Sequence, residues 1–183
     1  MRKLRAYNFL SLDGYYTSKD GDTSWHVHDA EEAAYAAESL SVRDVLVFGR
    51  KTYEMMASFW PTEMAMKQMP DVARGMNDSA KIVFSKTMPS AAWQHTTVLT
   101  DLIADMKRLK QEDGADMTVL GSGSVIAQLA AARLIDEYQF MIDPVVLGTG
   151  RSPFQGLPEV QRLRLTESRQ FSSGVVLLSY QST

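Results

Sequence analysis

Val45-Leu-Val-Phe48 runs directly into Gly49-Arg50-Lys51-Thr52, and the reading of that junction decides the fold. The apolar run reads as a short strand. The glycine, cations and hydroxyl that follow let backbone N–H groups point outward where a helix begins, and the helix dipole favours an anion there. The same junction recurs as Lys81-Ile-Val-Phe84 into Ser85-Lys86-Thr87, and as Met117-Thr-Val-Leu120 into Gly121-Ser122-Gly123-Ser124. Placed along one sheet edge, the turns make a single pocket for a ligand with several phosphates. Arg50, Lys51 and Lys86 supply its cations.

Outward from these junctions, Leu4–Leu10 reads as a first strand ended by Ser11-Leu12-Asp13-Gly14. Asp29–Ser41 is rich in helix formers with Asp29 as N-cap. A helix from about Lys51 to Phe59 is stopped by Pro61, and 61–79 reads as irregular because of Pro61, Pro70 and Gly75. Strands at 81–84 and 96–99 precede an amphipathic helix, Asp101–Gln111, and Val125–Leu134 carries the apolar stripe of another. Tyr138–Ile142, Pro144–Leu147 and Gly174–Tyr180 are strand-like with no helix between them, so the sheet is predicted to finish antiparallel. The alternation before residue 134 predicts a mostly parallel α/β sheet with helices on both faces, in one domain over 1–183.

Composition narrows the function classes. The chain has 183 residues, 45% hydrophobic and 22% charged, which is ordinary for a single globular domain. A net charge of −3 gives no reason to expect nucleic acid or an anionic membrane as partner. With no cysteine there are no disulfides, thiol nucleophiles or cysteine-bound zinc. No apolar run is long enough to span a bilayer, and the basic start lacks the apolar stretch of a signal peptide, so the expected location is the cytoplasm.

Two familiar phosphate motifs fail. Gly121-x-Gly123 lacks the third glycine of the Rossmann fingerprint, and Gly49-Arg-Lys-Thr52 lacks the upstream glycine of a Walker loop. Trp25-His26-Val27-His28-Asp29 invites a metal reading, but histidines at i, i+2 point to opposite sides of a strand and His95 is distant, so no metal site is predicted.

Gly49-Arg50-Lys51-Thr52-Tyr53-Glu54 resembles the Gly-Arg-Lys-Thr-x-Glu segment of dihydrofolate reductases. Ser85-Lys86-Thr87 is similar to their strand-end Ser-Arg, and Gly121-Ser122-Gly123 to their Gly-Gly pyrophosphate turn. The resemblance is closer to the reductase domain of the riboflavin-biosynthesis deaminase–reductase (the RibD C-terminal type) and its stand-alone relatives. It is carried by Ser11-Leu12-Asp13-Gly14-Tyr15, Val119-Leu120-Gly121-Ser122-Gly123, Asp136-Glu137-Tyr138, Pro144-Val145-Val146-Leu147-Gly148-x-Gly150 and Ser173-Gly174-Val175-Val176.

That resemblance implies a dihydrofolate-reductase-like three-layer fold and an NADPH-dependent reductase. Gly49, Arg50, Lys51, Thr52, Ser85, Lys86, Thr87, Gly121, Ser122, Gly123 and Ser124 would hold the cofactor. The cations suit its extra phosphate, and no ribose-binding acid of the NAD type is identifiable. Asp13 is the candidate for placing or protonating the substrate, with a simple Asp-Gly turn as the alternative. Dihydrofolate reductases place a substrate-gripping carboxylate on the first helix. Glu31, Glu32 and Glu38 are available there, and no motif selects one. Tyr15, Trp25 and Trp60 are candidates to line a slot for a flat heterocycle, with core packing as the alternative for the tryptophans. The expected substrates are 5-amino-6-(5-phosphoribosylamino)uracil or a pterin, and the expected assembly a homodimer through the C-terminal strands. The chain has no cysteine-containing deaminase signature. A nucleotide- or flavin-binding module without turnover is the alternative.

Overall fold

Short apolar runs, helix caps and two prolines partition this chain, and a computed structural model describes residues 1–26 and 29–183 of it. Its elements are β1 (Leu4–Ser11), β2 (Thr17–Ser18), α1 (Ala30–Ser41), β3 (Val45–Gly49), α2 (Arg50–Phe59), α3 (Glu63–Gln68), α4 (Pro70–Asp78) and β4 (Lys81–Phe84). There follow β5 (Thr96–Leu99), α5 (Leu102–Gln111), β6 (Met117–Val119), α6 (Gly123–Ala131), β7 (Glu137–Asp143), β8 (Gly150–Arg151), β9 (Leu163–Gln170) and β10 (Val176–Ser182).

Eight strands form one sheet in the order β5-β4-β3-β6-β1-β7-β10-β9, and β2 pairs with β8 apart from it. β5, β4, β3, β6, β1 and β7 are mutually parallel. β10 runs antiparallel to β7, and β9 antiparallel to β10. This is the mostly parallel sheet with an antiparallel finish that the strand and helix rhythm predicts.

Strand alternation sends side chains to two helical layers. On one face Leu4, Ala6, Val47, Val119 and Phe140 pack against Met106 and Leu109 of α5 and Ile126 and Leu129 of α6. On the other, Leu46, Phe48 and Val83 meet Tyr53 of α2, Val72 and Met76 of α4, and Ala36 and Leu40 of α1. A third cluster, Met141, Leu177, Phe171 and Val175, extends that second face toward β10, with Tyr7 and Phe9 against it.

Three segments differ from the sequence reading. Residues 61–79 hold α3 and α4, not irregular chain. Thr62 Oγ1 accepts the Ala65 N–H at 3.2 Å, and Pro70 stands at the start of α4. A proline in the first turn loses no helical bond, so it starts a helix there instead of breaking one. Gly75 lets α4 approach α1, since a Cβ on it would lie 2.7 Å from Leu40 Cβ. Residues 144–147 form a loop. The edge strand β9 escapes the pattern because nearly all of it is exposed and polar.

Lys81 is an unusual core residue, 1% exposed. Its Nζ donates to the carbonyls of Asn77, Ser79 and Gln94 at 3.0, 2.7 and 3.3 Å and sits 4.5 Å from the Trp93 ring centre. Burial pushes its ammonium down to about 8.

Candidate functional site

Because six strands are parallel, their carboxyl ends share one rim, where α/β sheets bind ligands. The rim gathers Gly49, Ser85, Leu120-Gly121-Ser122, Ser11-Leu12-Asp13 and Asp143, from β3, β4, β6, β1 and β7 respectively.

The first and third turns touch. The Gly49 N–H donates to the Gly121 carbonyl at 3.0 Å. A Cβ on Gly49 would lie 2.9 Å from Val125 Cγ2 and 3.2 Å from Ser122 Oγ, so only glycine permits this approach. Gly121 has φ of +114°, and a Cβ there would meet Thr52 Oγ1 at 3.4 Å. Neither α2 nor α6 has a side-chain cap, which suits the N–H groups that open them to an anion, while further into α6 the Val125 N–H turns back to the Ser122 carbonyl at 2.9 Å. The hydroxyls of Ser122 and Ser124 lie 2.7 Å apart beside them.

The middle turn behaves differently. No helix follows β4, and Ser85 Oγ accepts the N–H groups of Thr87 at 3.2 Å and Met88 at 3.0 Å, closing the turn on itself. Lys86 and Thr87 remain exposed at the rim, as does Lys51. Arg50 holds Glu54 one turn on, at 2.9 and 3.2 Å.

Asp13 is committed locally. Its carboxylate accepts from Ser11 Oγ at 2.6 Å, from the Leu147 N–H at 3.1 Å and from the Gly148 N–H at 2.7 Å. The Ser11 hydroxyl, followed by these amides, holds its carboxyl below the usual range. A carboxylate so stabilised ties the 145–150 loop to the end of β1, which favours the turn-making alternative. Tyr15 lies on the same loop system, its Cβ 2.9 Å from where a Cβ on Gly150 would stand. The neighbouring Tyr16 ring lies over the start of α6, where a Cβ on Gly123 would come within 2.1 Å of it. Trp25 donates Nε1–H to the Asp22 carbonyl at 3.2 Å and meets the His26 ring edge-on. Trp60 is not at the rim. It caps the far end of α2, roughly 15 Å of helix away, and packs in the second core cluster. The apolar stripe of α2 turns it inward. Two shallow hollows of about 380 and 530 Å³ also lie away from the rim, on the outer face of β7, β10 and β9 and around Trp93.

A cluster the sequence reading left unassigned lies beside Asp13. Glu32, in the first turn of α1, is 4% exposed, and Asp143, across from Ser11 at the end of β7, is 3% exposed. His26 bridges them, with Nδ1 2.7 Å from Asp143 Oδ1 and Nε2 3.4 Å from Glu32 Oε2. Its ring stacks on Phe9 with centroids 3.8 Å apart. Ser173 Oγ donates to Glu32 Oε1 at 2.7 Å. Asp29 accepts the Glu32 N–H at 2.7 Å and the Ser173 N–H at 3.1 Å, lashing the start of α1 to the turn before β10. Burial pushes the Glu32 carboxyl up and, beside these acids, pushes the Tyr7 phenol up as well. Among the described residues three buried side-chain polar atoms lack a hydrogen bond: Asn8 Nδ2, Glu32 Oε2 and Asp143 Oδ2. All belong to this half of the sheet, and such orphans call for an explanation. The signal for Glu32 was its register: it lies four residues before Ala36 and eight before Leu40, on the core stripe of α1. His28, the other half of the paired histidines, lies outside the described residues. Among those described, no group of three His, Asp or Glu is arranged to hold a metal ion, and no helix is long and apolar enough to cross a membrane.

Residues 2–177 match the model of the RibD C-terminal domain. The chain belongs to that family. Two proteins similar to this chain come from Bacillus subtilis (strain 168). The uncharacterized protein YyaP is 27% identical over 93% of this chain and 90% of its own length. The uncharacterized protein YwjB is 29% identical over 96% of each. Among solved structures, a putative riboflavin biosynthesis protein from Shewanella sp. PV-4 superposes with a TM-score of 0.71 at 22% identity, covering 99% of both chains. A pyrimidine reductase-like protein from Corynebacterium diphtheriae gives 0.65 at 14% identity, over all of this chain and 92% of that one. The diaminohydroxyphosphoribosylaminopyrimidine deaminase/5-amino-6-(5-phosphoribosylamino)uracil reductase from Thermotoga maritima gives 0.68 at 12% identity. There the match covers all of this chain but 57% of the other. At these identities the likeness to solved structures is one of fold, and it is the fold of RibD-like reductases.

Proposed function

We propose that this protein is an NADPH-dependent reductase of a small planar heterocycle, an aminopyrimidine of the 5-amino-6-(5-phosphoribosylamino)uracil kind or a pterin. The observation that carries the reading is adjacency: uncapped helix starts with exposed cations share one rim with a buried carboxyl held toward its protonated form. The residues present fit the cofactor. The N–H groups that open α2 and α6, with Ser122 and Ser124, suit its pyrophosphate, and Arg50, Lys51 and Lys86 suit its further phosphate. When bound, NADPH supplies hydride.

The chain's own residues handle the proton. Glu32, with its carboxyl raised by burial, is the donor group, and Oε2 is its oxygen free of other hydrogen bonds. The proton-donor role passes from Asp13 to Glu32, because a depressed carboxyl that accepts three hydrogen bonds is already ionised and has no proton to give. Tyr15 and Trp25 border the same corner. The proposed assembly is a homodimer through the C-terminal strands, supported by the exposed edge of β9, and sedimentation equilibrium measures it.

The test is a thermal-shift screen of NADPH, NADH, FMN and ATP, followed by NADPH oxidation against pterins and aminopyrimidines. A ligand at 100 times its Kd adds about 2.7 kcal/mol of stability. NADPH stabilisation with oxidation of at least one heterocycle is the expected result. Stabilisation by FMN alone, or NADPH binding without oxidation across the panel, overturns it in favour of a module without turnover.

A further inference from the structure

Glu32 does not stand alone. Its Oε1 is taken by the Ser173 hydroxyl, and Ser173 Oγ in turn accepts the Val175 N–H at 3.3 Å, which orients that hydroxyl toward the carboxyl. The exchangeable proton of Glu32 therefore belongs on Oε2, the oxygen that faces His26 Nε2 at 3.4 Å. On the other side of the ring, Asp143 Oδ1 lies 2.7 Å from Nδ1, and a carboxylate there accepts, so Nδ1 carries hydrogen. The neutral imidazole is thereby fixed with Nε2 bare and aimed at Glu32.

We propose that Asp143 and His26 form a positioning couple for Glu32, fixing which oxygen of its carboxyl carries the proton and relaying through Nε2 the proton that replaces it. The inference rests on the reductase reading for its use, but its geometry does not. The proton balance is simple. Glu32 gives its Oε2 proton to substrate, the neutral imidazole takes a proton from water on Nε2, and the imidazolium so formed passes it to the Glu32 carboxylate. Hydride comes from NADPH, and nothing else is oxidised or reduced. A spacing of 3.4 Å is long for a hydrogen bond, and such contacts tighten in productive complexes.

Other titratable groups face this corner. Asp29, which caps α1, and Asp143 both oppose ionisation of Glu32, whereas the His26 charge favours it. The Tyr7 phenol of β1, pushed up by burial, also feels the charges of Tyr35, Glu32 and Asp143. Glu31 is turned away to Arg169 and the Ser172 N–H. Glu31 thus takes no part in the exchange between Oε2 and Nε2.

The experiment uses the full chain with nitrogen-15 histidine and carbon-13 glutamate labels, read by NMR. His26→Gln identifies the His26 signals among the 3 histidines, and Glu32→Gln identifies the Glu32 carboxyl. The wild type is expected to show His26, when neutral, as the Nδ1–H tautomer, and Asp143→Asn to switch it to Nε2–H. In His26→Gln the Glu32 titration midpoint is expected to rise, because the nearby cation is gone. A wild-type Nε2–H tautomer, a tautomer unmoved in Asp143→Asn, or a Glu32 midpoint unmoved in His26→Gln overturns the couple. Should either variant fail to fold, the wild-type tautomer still decides. With a turned-over heterocycle in hand, His26→Gln lowers kcat about 10- to 100-fold above the Glu32 midpoint while KM and NADPH affinity stay within about twofold. An unchanged pH profile of kcat overturns the couple too. If no heterocycle is reduced, the reductase reading fails while the tautomer and midpoint still judge the couple.

Discussion

The two halves of the rim hold their chemistry in opposite ways. The β3–β6 half is exposed and works through backbone: glycines at 49 and 121, two helix starts without side-chain caps, and cations in solvent. The β1–β7 half is buried and works through side chains: Glu32, His26, Asp143 and Ser173, each held by a partner. An anion can be met by N–H groups wherever the chain turns correctly. A proton must be held at a chosen atom, which needs burial and a fixed neighbour.

Breaking the buried half should cost most. Glu32→Gln keeps the volume and removes the acid, so NADPH-dependent turnover should fall about a hundredfold or more while NADPH affinity holds, as steady-state and binding measurements would show. The same variant has a stability signature. Burial raises the Glu32 carboxyl in the folded state, so the fold binds that proton more tightly than the unfolded chain does, and wild-type stability contributed here is lost as pH rises through the raised value. Relative to wild type, Glu32→Gln should therefore gain stability from pH 4 toward pH 8 in urea titrations.

The exposed half is sensitive chiefly where chain meets chain. Gly123→Ala forces a Cβ against the Tyr16 ring, 2.1 Å away, and overpacking of this kind costs about 1–3 kcal/mol. Tyr16→Ala in the same chain should return much of that loss, a double-mutant cycle that separates steric clash from lost anion binding. Arg50→Ala is gentler: the preference for NADPH over NADH should drop about tenfold, with little change in stability, since its Glu54 pair is exposed. Equal losses for both nucleotides would place Arg50 at the pyrophosphate instead. Asp13→Asn should have the smallest effect. Its lowered carboxyl stabilises the fold above the ordinary aspartate range and ceases to as pH falls through that range, so the variant's small melting-point deficit should vanish in acid.

How much of this was legible follows from sequence distance. Each anion turn is a contiguous string, Gly49–Thr52 or Gly121–Ser124, so its residue types alone announce it. The family motifs carry the fold for the same reason. The buried cluster joins residue 26, the first turn of α1, the end of β7 and the turn at 171–174, and no local string contains it. Only the register of Glu32 with Ala36 and Leu40 hinted at its inward aim. Trp60 was misplaced because an aromatic side chain at a helix end reads alike for pocket and core. Pro61 follows the end of α2 as its sequence suggests, whereas Pro70 reads as a breaker and instead opens α4.

Lys81 gives the fold an unusual response to base. The folded chain sheds this proton near pH 8, while an unfolded lysine keeps it to about 10.5. Across that interval the unfolded form holds the extra proton, so alkalinity tilts the balance toward the native state at this one residue. Acylating reagents should label Lys51 and Lys86 while sparing the ammonium that plugs the end of α4.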